Sequence, residues 1–396
     1  MQKPQKIHII EYGRFEENEF RVFPNLNSMR RVYMLKKRIA LGLATALVLT
    51  SAVGCSGGNS TNTASNEGTA TEAPATEEAP VTEETVAKEG LKVAMVTDVG
   101  GVNDESFNQS AWEGLQKAEQ DLGIKATYVE SKQDADYQTN LETMIDGDND
   151  LIWGIGYKMG DALLETSKQY PDQKFAIIDY SYGDQTPENI VGVLFHQEQC
   201  SFLVGYIAGK TTKTNKVGFV GGMKGTLIEQ FEAGYLAGVH YANPEVEVKV
   251  QYAESFSDAA KGKAIATKMY NDGADIVYHA AGNVGAGVIE IAKETNKWAI
   301  GVDRDQNYLA PDNVLTSAMK LVGSGTYNIT KELQDGVWNG GTTVNYGVAE
   351  GGVGIAPTSD KHVDATILEE VEAIKAKIIS KEITVPLTVE EFEASK

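Results

Sequence analysis

The chain has 396 residues, 42% of them hydrophobic and 23% charged, which is ordinary globular composition at a length that holds two core-forming domains. Its formal net charge of −21 argues against nucleic acid or an anionic membrane as main partner, since phosphate binding needs a basic surface. Two cysteines, Cys55 and Cys200, build no disulfide framework, and the five histidines are scattered without metal-ligand spacing, so no metal and no cofactor are expected.

Met34 is a more natural start than Met1, and residues 1–33 read as an over-extended amino terminus. From Met34 a positively charged Leu-Lys-Lys-Arg stretch leads into an apolar run over 39–53 and then Gly54-Cys55, a signal peptide spanning 34–55. The apolar run is too short for an ordinary spanning helix, which leaves an uncleaved anchor as the alternative reading. The Ala-Val-Gly-Cys ending resembles a bacterial lipoprotein signal, in which the cysteine is lipidated, although Ala52 stands where Leu is commonest. Residues 56–90 hold seven Glu and one Lys among Ser, Thr, Asn, Ala and Pro. Such a segment buries too little apolar surface to offset the entropy of ordering and reads as a disordered, acidic tether.

A regular alternation begins at Leu91. Residues 91–97 read as a buried strand, and Thr97-Asp98-Val99-Gly100-Gly101-Val102-Asn103-Asp104-Glu105-Ser106-Phe107-Asn108-Gln109 leads into a helix on which Trp112, Leu115 and Ala118 recur. Gly100 and Gly101 let the backbone approach a ligand, and Asp104 or Ser106 is placed to cap the helix. Phe107 is a large ring in a polar loop. It is either the first core residue of its helix or a platform for a flat ligand. Strands follow at 126–130, 150–155, 175–178 and 190–194, with helices at 137–145 and 161–169 between them.

The pattern then restarts: helix 198–210, strand 216–220, helix 227–241, strand 246–252, helix 259–272, strand 275–279, helix 284–294 and strand 298–302. Two such series indicate an α/β chain of two Rossmann-like lobes, 91–197 plus 321–345 and 198–320 plus 346–396. The segments 314–319, 327–337 and 344–348 cross back between lobes as a hinge. A cleft between lobes is a favoured small-molecule site.

Catalytic motifs fail on spacing. Gly154-Ile-Gly156-Tyr-Lys-Met-Gly160 misses the dinucleotide fingerprint by one residue, and Gly221-Gly222-Met-Lys-Gly-Thr226 lacks the order of a phosphate-binding loop. Cys200 lies among apolar neighbours as an inert thiol. His196 and His279 lie at strand ends, where either could touch the cleft, but without evident partners they read rather as structural. What recurs at the strand ends is recognition chemistry: Asp98, Asp161, Asp179, Gly282-Asn283, Asp303, Asp305 and Lys320. Carboxylates accept from sugar hydroxyls and base N–H groups, and an ammonium donates to hydroxyls.

On the first loop, and on Phe231-Glu-Ala-Gly-Tyr235, His279-Ala-Ala-Gly282, Gly301-Val-Asp303-Arg-Asp305-Gln306 and Leu315-Thr-Ser317-Ala-Met-Lys320, the sequence resembles the basic membrane protein family of bacterial lipoproteins. These are substrate-binding subunits of ABC importers and include purine nucleoside receptors. The resemblance implies a type I periplasmic-binding-protein fold with three crossovers, no enzymatic activity, permease and ATPase partners, and a body held to the extracytoplasmic face of the cell membrane by a lipid on Cys55. Ligand-binding positions carried over by motif are Asp98, Asn103, Phe107, Asn108, Asp161, Phe231, Gly282, Asp303 and Lys320. Phe107 and Phe231 would sandwich a purine, Asp98, Asn108 and Asp161 would meet polar atoms of the nucleoside, and Gly282, Asp303 and Lys320 would hold its ribose. The competing readings are a sugar receptor of the same fold, a sensory lipoprotein, and a secreted nucleoside hydrolase.

Overall fold

The computed structural model describes residues 90–396. The expected signal peptide with Cys55 and the expected tether, up to residue 89, lie outside the described residues. The described residues form two six-stranded sheets, each built by repeated strand–helix–strand crossovers. The first contains β1 (Lys92–Thr97), β2 (Lys125–Glu130), β3 (Leu151–Ile155), β4 (Lys174–Ile178) and β5 (Ile190–Phe195), joined at its edge by β11 (Thr342–Tyr346). Its order is β11-β5-β4-β3-β1-β2, and all of its pairings are parallel. The second contains β6 (Lys216–Gly221), β7 (Glu247–Tyr252), β8 (Ile276–Ala280), β9 (Trp298–Asp303) and β10 (Val314–Lys320) in the order β12-β10-β9-β8-β6-β7. Here β12 (Val353–Ile355) runs antiparallel to β10, with Ala318 opposite Ile355.

Burial on both faces explains why β1, β3, β4 and β8 read as continuous apolar runs instead of alternating ones. In each sheet the order reverses beside the first strand, between β1 and β3 and between β6 and β8. That is where open α/β sheets bind ligands beyond their carboxyl ends. The chain passes from one sheet to the other after β5, after β10 and after β11, which are the three crossovers of the expected fold.

Two helix pairs set the site's geometry. In the first lobe α1 (Phe107–Leu122) lies against α8 (Val322–Gln334), where Thr326 Oγ1 donates to the Ala111 carbonyl at 3.0 Å. In the second, α4 (Gln197–Thr211) lies against α5 (Thr226–Ala242) with backbones in direct contact. A Cβ at Gly238 would stand 2.1 Å from the Phe202 carbonyl oxygen, and one at Gly234 would stand 2.2 Å from that of Glu198. These glycines let α5 sit deep enough for Phe231 to reach the space between the sheets. The remaining helices are α2 (Tyr137–Asp146), α3 (Gly160–Gln169), α6 (Ala259–Asn271) and α7 (Val284–Thr295), then α9 (Ala365–Ile379) and α10 (Val389–Ser395).

The carboxyl-terminal fifth differs from the sequence reading. Of the three segments assigned to a hinge, 314–319 falls in β10 and 344–346 in β11, and residues 327–334 belong to α8, which begins at Val322 and covers α1. Strand β12 and helices α9 and α10 had no counterpart in that reading. Three strand residues carry too short a pattern to register, and α9 buries only Val371, Ile374 and Ile378 of its 15 residues. Among the described residues no helix is long and apolar enough to cross a membrane.

Candidate functional site

The loop after β1 is held by one carboxylate. Asp104 accepts the backbone N–H groups of Ser106 (2.9 Å), Asn108 (2.8 Å) and Gln109 (3.1 Å), so it caps α1 from outside the first turn. Ser106, the other expected cap, makes no capping bond; its hydroxyl donates across the cleft to Asp303. Asn108 Nδ2 bridges Asp104 (3.0 Å) and Asp98 (2.8 Å), and Asp98 Oδ1 also accepts the Gly100 N–H at 2.9 Å. Asp98 Oδ2 faces the end of β3. A Cβ at Gly156, which has φ of +111°, would lie 3.5 Å from that oxygen and 3.6 Å from the Phe107 ring.

Across the gap, Lys320 ends β10 with 1% of its surface exposed. Its ammonium donates to Asp179 at the end of β4 (2.5 Å) and stands 5.0 Å from the centre of the Phe107 ring, 5.4 Å from Phe195 and 5.7 Å from Phe231. A buried lysine is tolerated here because an anion and three aromatic faces replace its water. Asp179 and Asp303 both adopt positive φ, +64° and +63°. Such strained turns at strand ends persist where the surroundings over-determine them and cluster at binding sites.

These groups line a single cavity of about 570 Å³, its open mouth included. Asp98, Asp104, Phe107, Asn108 and Asp179 contribute from the first lobe, and Phe231, Phe256, Gly282, Asp303 and Lys320 from the second. The site is rich in acceptors: four carboxylates face one ammonium. Burial pushes Asp98 up to about 6 against the N–H groups of Gly100 and Asn108, which pull it down. Burial likewise pushes Asp303 to about 6, opposed by the charge of Lys320. Asp104 and Asp179 are also raised, again by burial first. Asn108 Oδ1 and Asp179 Oδ1 are buried without a hydrogen-bond partner, a costly condition that a donor-bearing ligand would relieve.

Of the nine positions expected from sequence, Asp98, Phe107, Asn108, Phe231, Gly282, Asp303 and Lys320 line this cavity. Asn103 and Asp161 do not. Val102 is buried with its N–H on Glu130 Oε1 (2.9 Å), which turns the next side chain, Asn103, out to solvent. Asp161 lies one turn too far along: the 3₁₀ turn Tyr157–Met159 intervenes, Met159 and Gly160 are buried, and Asp161 is exposed on α3. From the ends of β3 and β4 it is Tyr157 and Asp179 that line the cavity. Phe256 was missed as well, although it carries the same signal as Phe107, a large ring in a polar loop. It packs over Gly282, where φ is +55° and a Cβ would stand 3.0 Å from the Phe256 carbonyl.

The two histidines and Cys200 take no part in the cavity lining. His279 is fully buried with Nε2 on Gln306 Oε1 (3.0 Å), and burial pushes it down to about 4, so it is neutral. Cys200 is a buried thiol pushed upward by burial. Among the described residues no cluster of His, Cys, Asp and Glu is arranged to hold a metal ion.

A family model described as ABC transporter substrate-binding protein, PnrA-like, matches residues 91–388. The chain is 46% identical over 315 residues to a CD4+ T-cell-stimulating antigen of Listeria monocytogenes, covering 74% of this chain and 87% of that protein. It is 41% identical over 320 residues to the ABC transporter nucleoside-binding protein BmpA of Lactococcus lactis, covering 76% and 90%. Among solved structures it is similar to an ABC transporter solute-binding protein of Aeropyrum pernix, with a TM-score of 0.70 and 28% identity over 77% of this chain and 96% of that one. The fold is that of the type I periplasmic-binding proteins.

Proposed function

Because the chain belongs to the PnrA-like family of ABC transporter substrate-binding proteins, which are receptors and not enzymes, we propose that it captures a purine nucleoside between its lobes and hands it to an ABC permease. The carrying observation is that Phe107 and Phe231, from opposite lobes, stand about one cavity whose apolar wall, with Leu227, Ile228 and Phe256, is interrupted by four carboxylates, Asn108 and a single lysine. A flat heterocycle between the rings gains roughly 1–3 kcal/mol from stacking per base. Asp98 and Asn108 meet the donor edge of the base. Asp179, Asp303 and Lys320 grip the hydroxyls of the pentose, with Gly282 allowing close approach. Asp104 is fully engaged in holding its own loop and serves as scaffold. A ligand that leaves these buried groups unpaired is rejected by more than the loss of one contact, which is the source of specificity.

The lobes in this reading are 91–197 plus 321–345 and 198–320 plus 346–396. The protein acts on the extracytoplasmic face, anchored through lipid on Cys55. Isothermal titration of ligand-stripped protein with adenosine, guanosine, inosine and free ribose tests the assignment. Saturable heat with at least one nucleoside and none with ribose is expected. No heat from any nucleoside refutes it.

A further inference from the structure

A second set of contacts joins the two lobes outside the cavity. Arg304 follows Asp303 directly, yet its guanidinium turns to the first lobe. Nη2 donates to Glu113 Oε1 at 2.5 Å and Nε to Oε2 of the same carboxylate at 3.3 Å, a forked pair. Nη1 is 3.6 Å from Glu105 and donates to the Tyr308 hydroxyl at 2.8 Å. Tyr308 in turn donates to the Glu105 carboxylate, and Gln306 Nε2 donates to the Glu105 carbonyl at 2.9 Å. Glu105 is held at φ of +55°, a strained conformation for a residue with a side chain. Arg304, Tyr308, Glu105 and Glu113 are all absent from the cavity wall, so none of them is placed to touch a ligand there.

We propose that Arg304, with Glu113, Glu105 and Tyr308, forms a latch on the rim of the cleft that sets how long the lobes stay shut over the ligand. The reasoning is geometric. Glu105 and Glu113, on the loop before α1 and on its first turns, are about 200 positions from Arg304, Gln306 and Tyr308, beyond β9 in the other lobe. Hinge opening must therefore break every bond between the two groups and spares only the Arg304–Tyr308 bond within the second lobe. Contacts present only in the shut form stabilise that form alone. They slow release and leave capture by the open form unchanged. The side chains of Arg304 and Glu113 are 17% and 46% exposed, so the latch is also screened by salt, unlike the Asp179–Lys320 pair, whose side chains are both 2% exposed. The identity of the ligand rests on the functional reading above. The latch itself does not.

The test is stopped-flow release of bound purine nucleoside from wild type, Arg304→Gln, Arg304→Lys and Glu113→Gln, and from the double variant Arg304→Gln/Glu113→Gln. Arg304→Gln should release ligand roughly 3- to 10-fold faster, with the association rate within about twofold of wild type. Arg304→Lys should recover part of the loss, because an ammonium keeps the charge but not the fork. Glu113→Gln should add little on top of Arg304→Gln, since the pair acts as a unit. Raising salt from low to high should speed release from wild type and not from Arg304→Gln. Unchanged release in Arg304→Gln, fully additive effects, or identical salt dependence would overturn the latch. If wild type binds no nucleoside, the functional reading fails instead, and solution scattering judges the latch: Arg304→Gln must then be more expanded than wild type, and an equal radius of gyration refutes it.

Discussion

Replacing Phe107 with alanine removes one of the two rings assigned to the ligand's flat face while sparing every carboxylate and the lysine. Phe107 is the first residue of α1, only partly buried, with one edge 3.6 Å from where a Cβ on Gly156 would stand. It therefore has a modest packing role and, on this reading, a large binding role. Loss of one stacking partner is worth roughly 1–3 kcal/mol, which is about 5- to 150-fold in Kd. A leucine at the same place keeps most of the buried apolar area and loses the flat π-face, so it separates stacking from packing. Titration calorimetry with a nucleoside should give Kd raised by the full factor in Phe107→Ala and by most of it in Phe107→Leu. Thermal unfolding of the ligand-free proteins should show the leucine variant close to wild type. Wild-type affinity in both variants would mean that Phe107 only begins a helix, and the nucleoside assignment would fall with it.

Lys320→Met leaves Asp179 as an unpaired buried carboxylate, which should cost about 3–5 kcal/mol in urea unfolding. Lys320→Met combined with Asp179→Asn should recover much of that, because no uncompensated charge remains. Acidity should act in opposite directions on folding and binding. Asp98 and Asp303 are raised from 3.8 to about 6, so their ionisation opposes folding. The stability these two groups contribute is full below about pH 4 and lost as pH rises through about 6. Nucleoside binding uses the ionised acceptors and should weaken as pH falls below about 6; a pH series of melting curves and titrations that moved together would refute this. Gly238→Ala drives a methyl into the Phe202 carbonyl, where the clearance is 2.1 Å, and overpacking of that kind should cost about 1–3 kcal/mol, measured as a lowered unfolding midpoint.

Much of the fold was legible because its signals are local. A parallel strand buried on both faces reads as an apolar run, and β1 to β9 were found within a residue or two, the exposed β2 and β7 by their place in the alternation; β10, which lies in the segment 314–319 assigned to a hinge, was not. The loop from Thr97 to Gln109 was legible too, since its Gly pair, capping carboxylate and misplaced ring are adjacent. Asp161 shows where such reasoning stops. Counting from β3 places it at the carboxyl edge, but an intervening 3₁₀ turn rotates it to solvent, and Asp179, on a strand end at positive φ, points in instead. The antiparallel β12 was missed because an edge strand of three residues is defined by its partner, not by its own pattern.

Periodicity and turn chemistry, which act over a few bonds, already determined the two βα series, the strand-end placement of recognition groups and the aromatic ring in the first loop. Only the tertiary structure decided which of those groups meet. Asp179 and Lys320 are 141 residues apart, Ser106 and Asp303 197, and Glu113 and Arg304 191. Pairing at that range is set by sheet order and by how closely α4 and α5 approach through glycine, geometry that no short stretch of chain encodes.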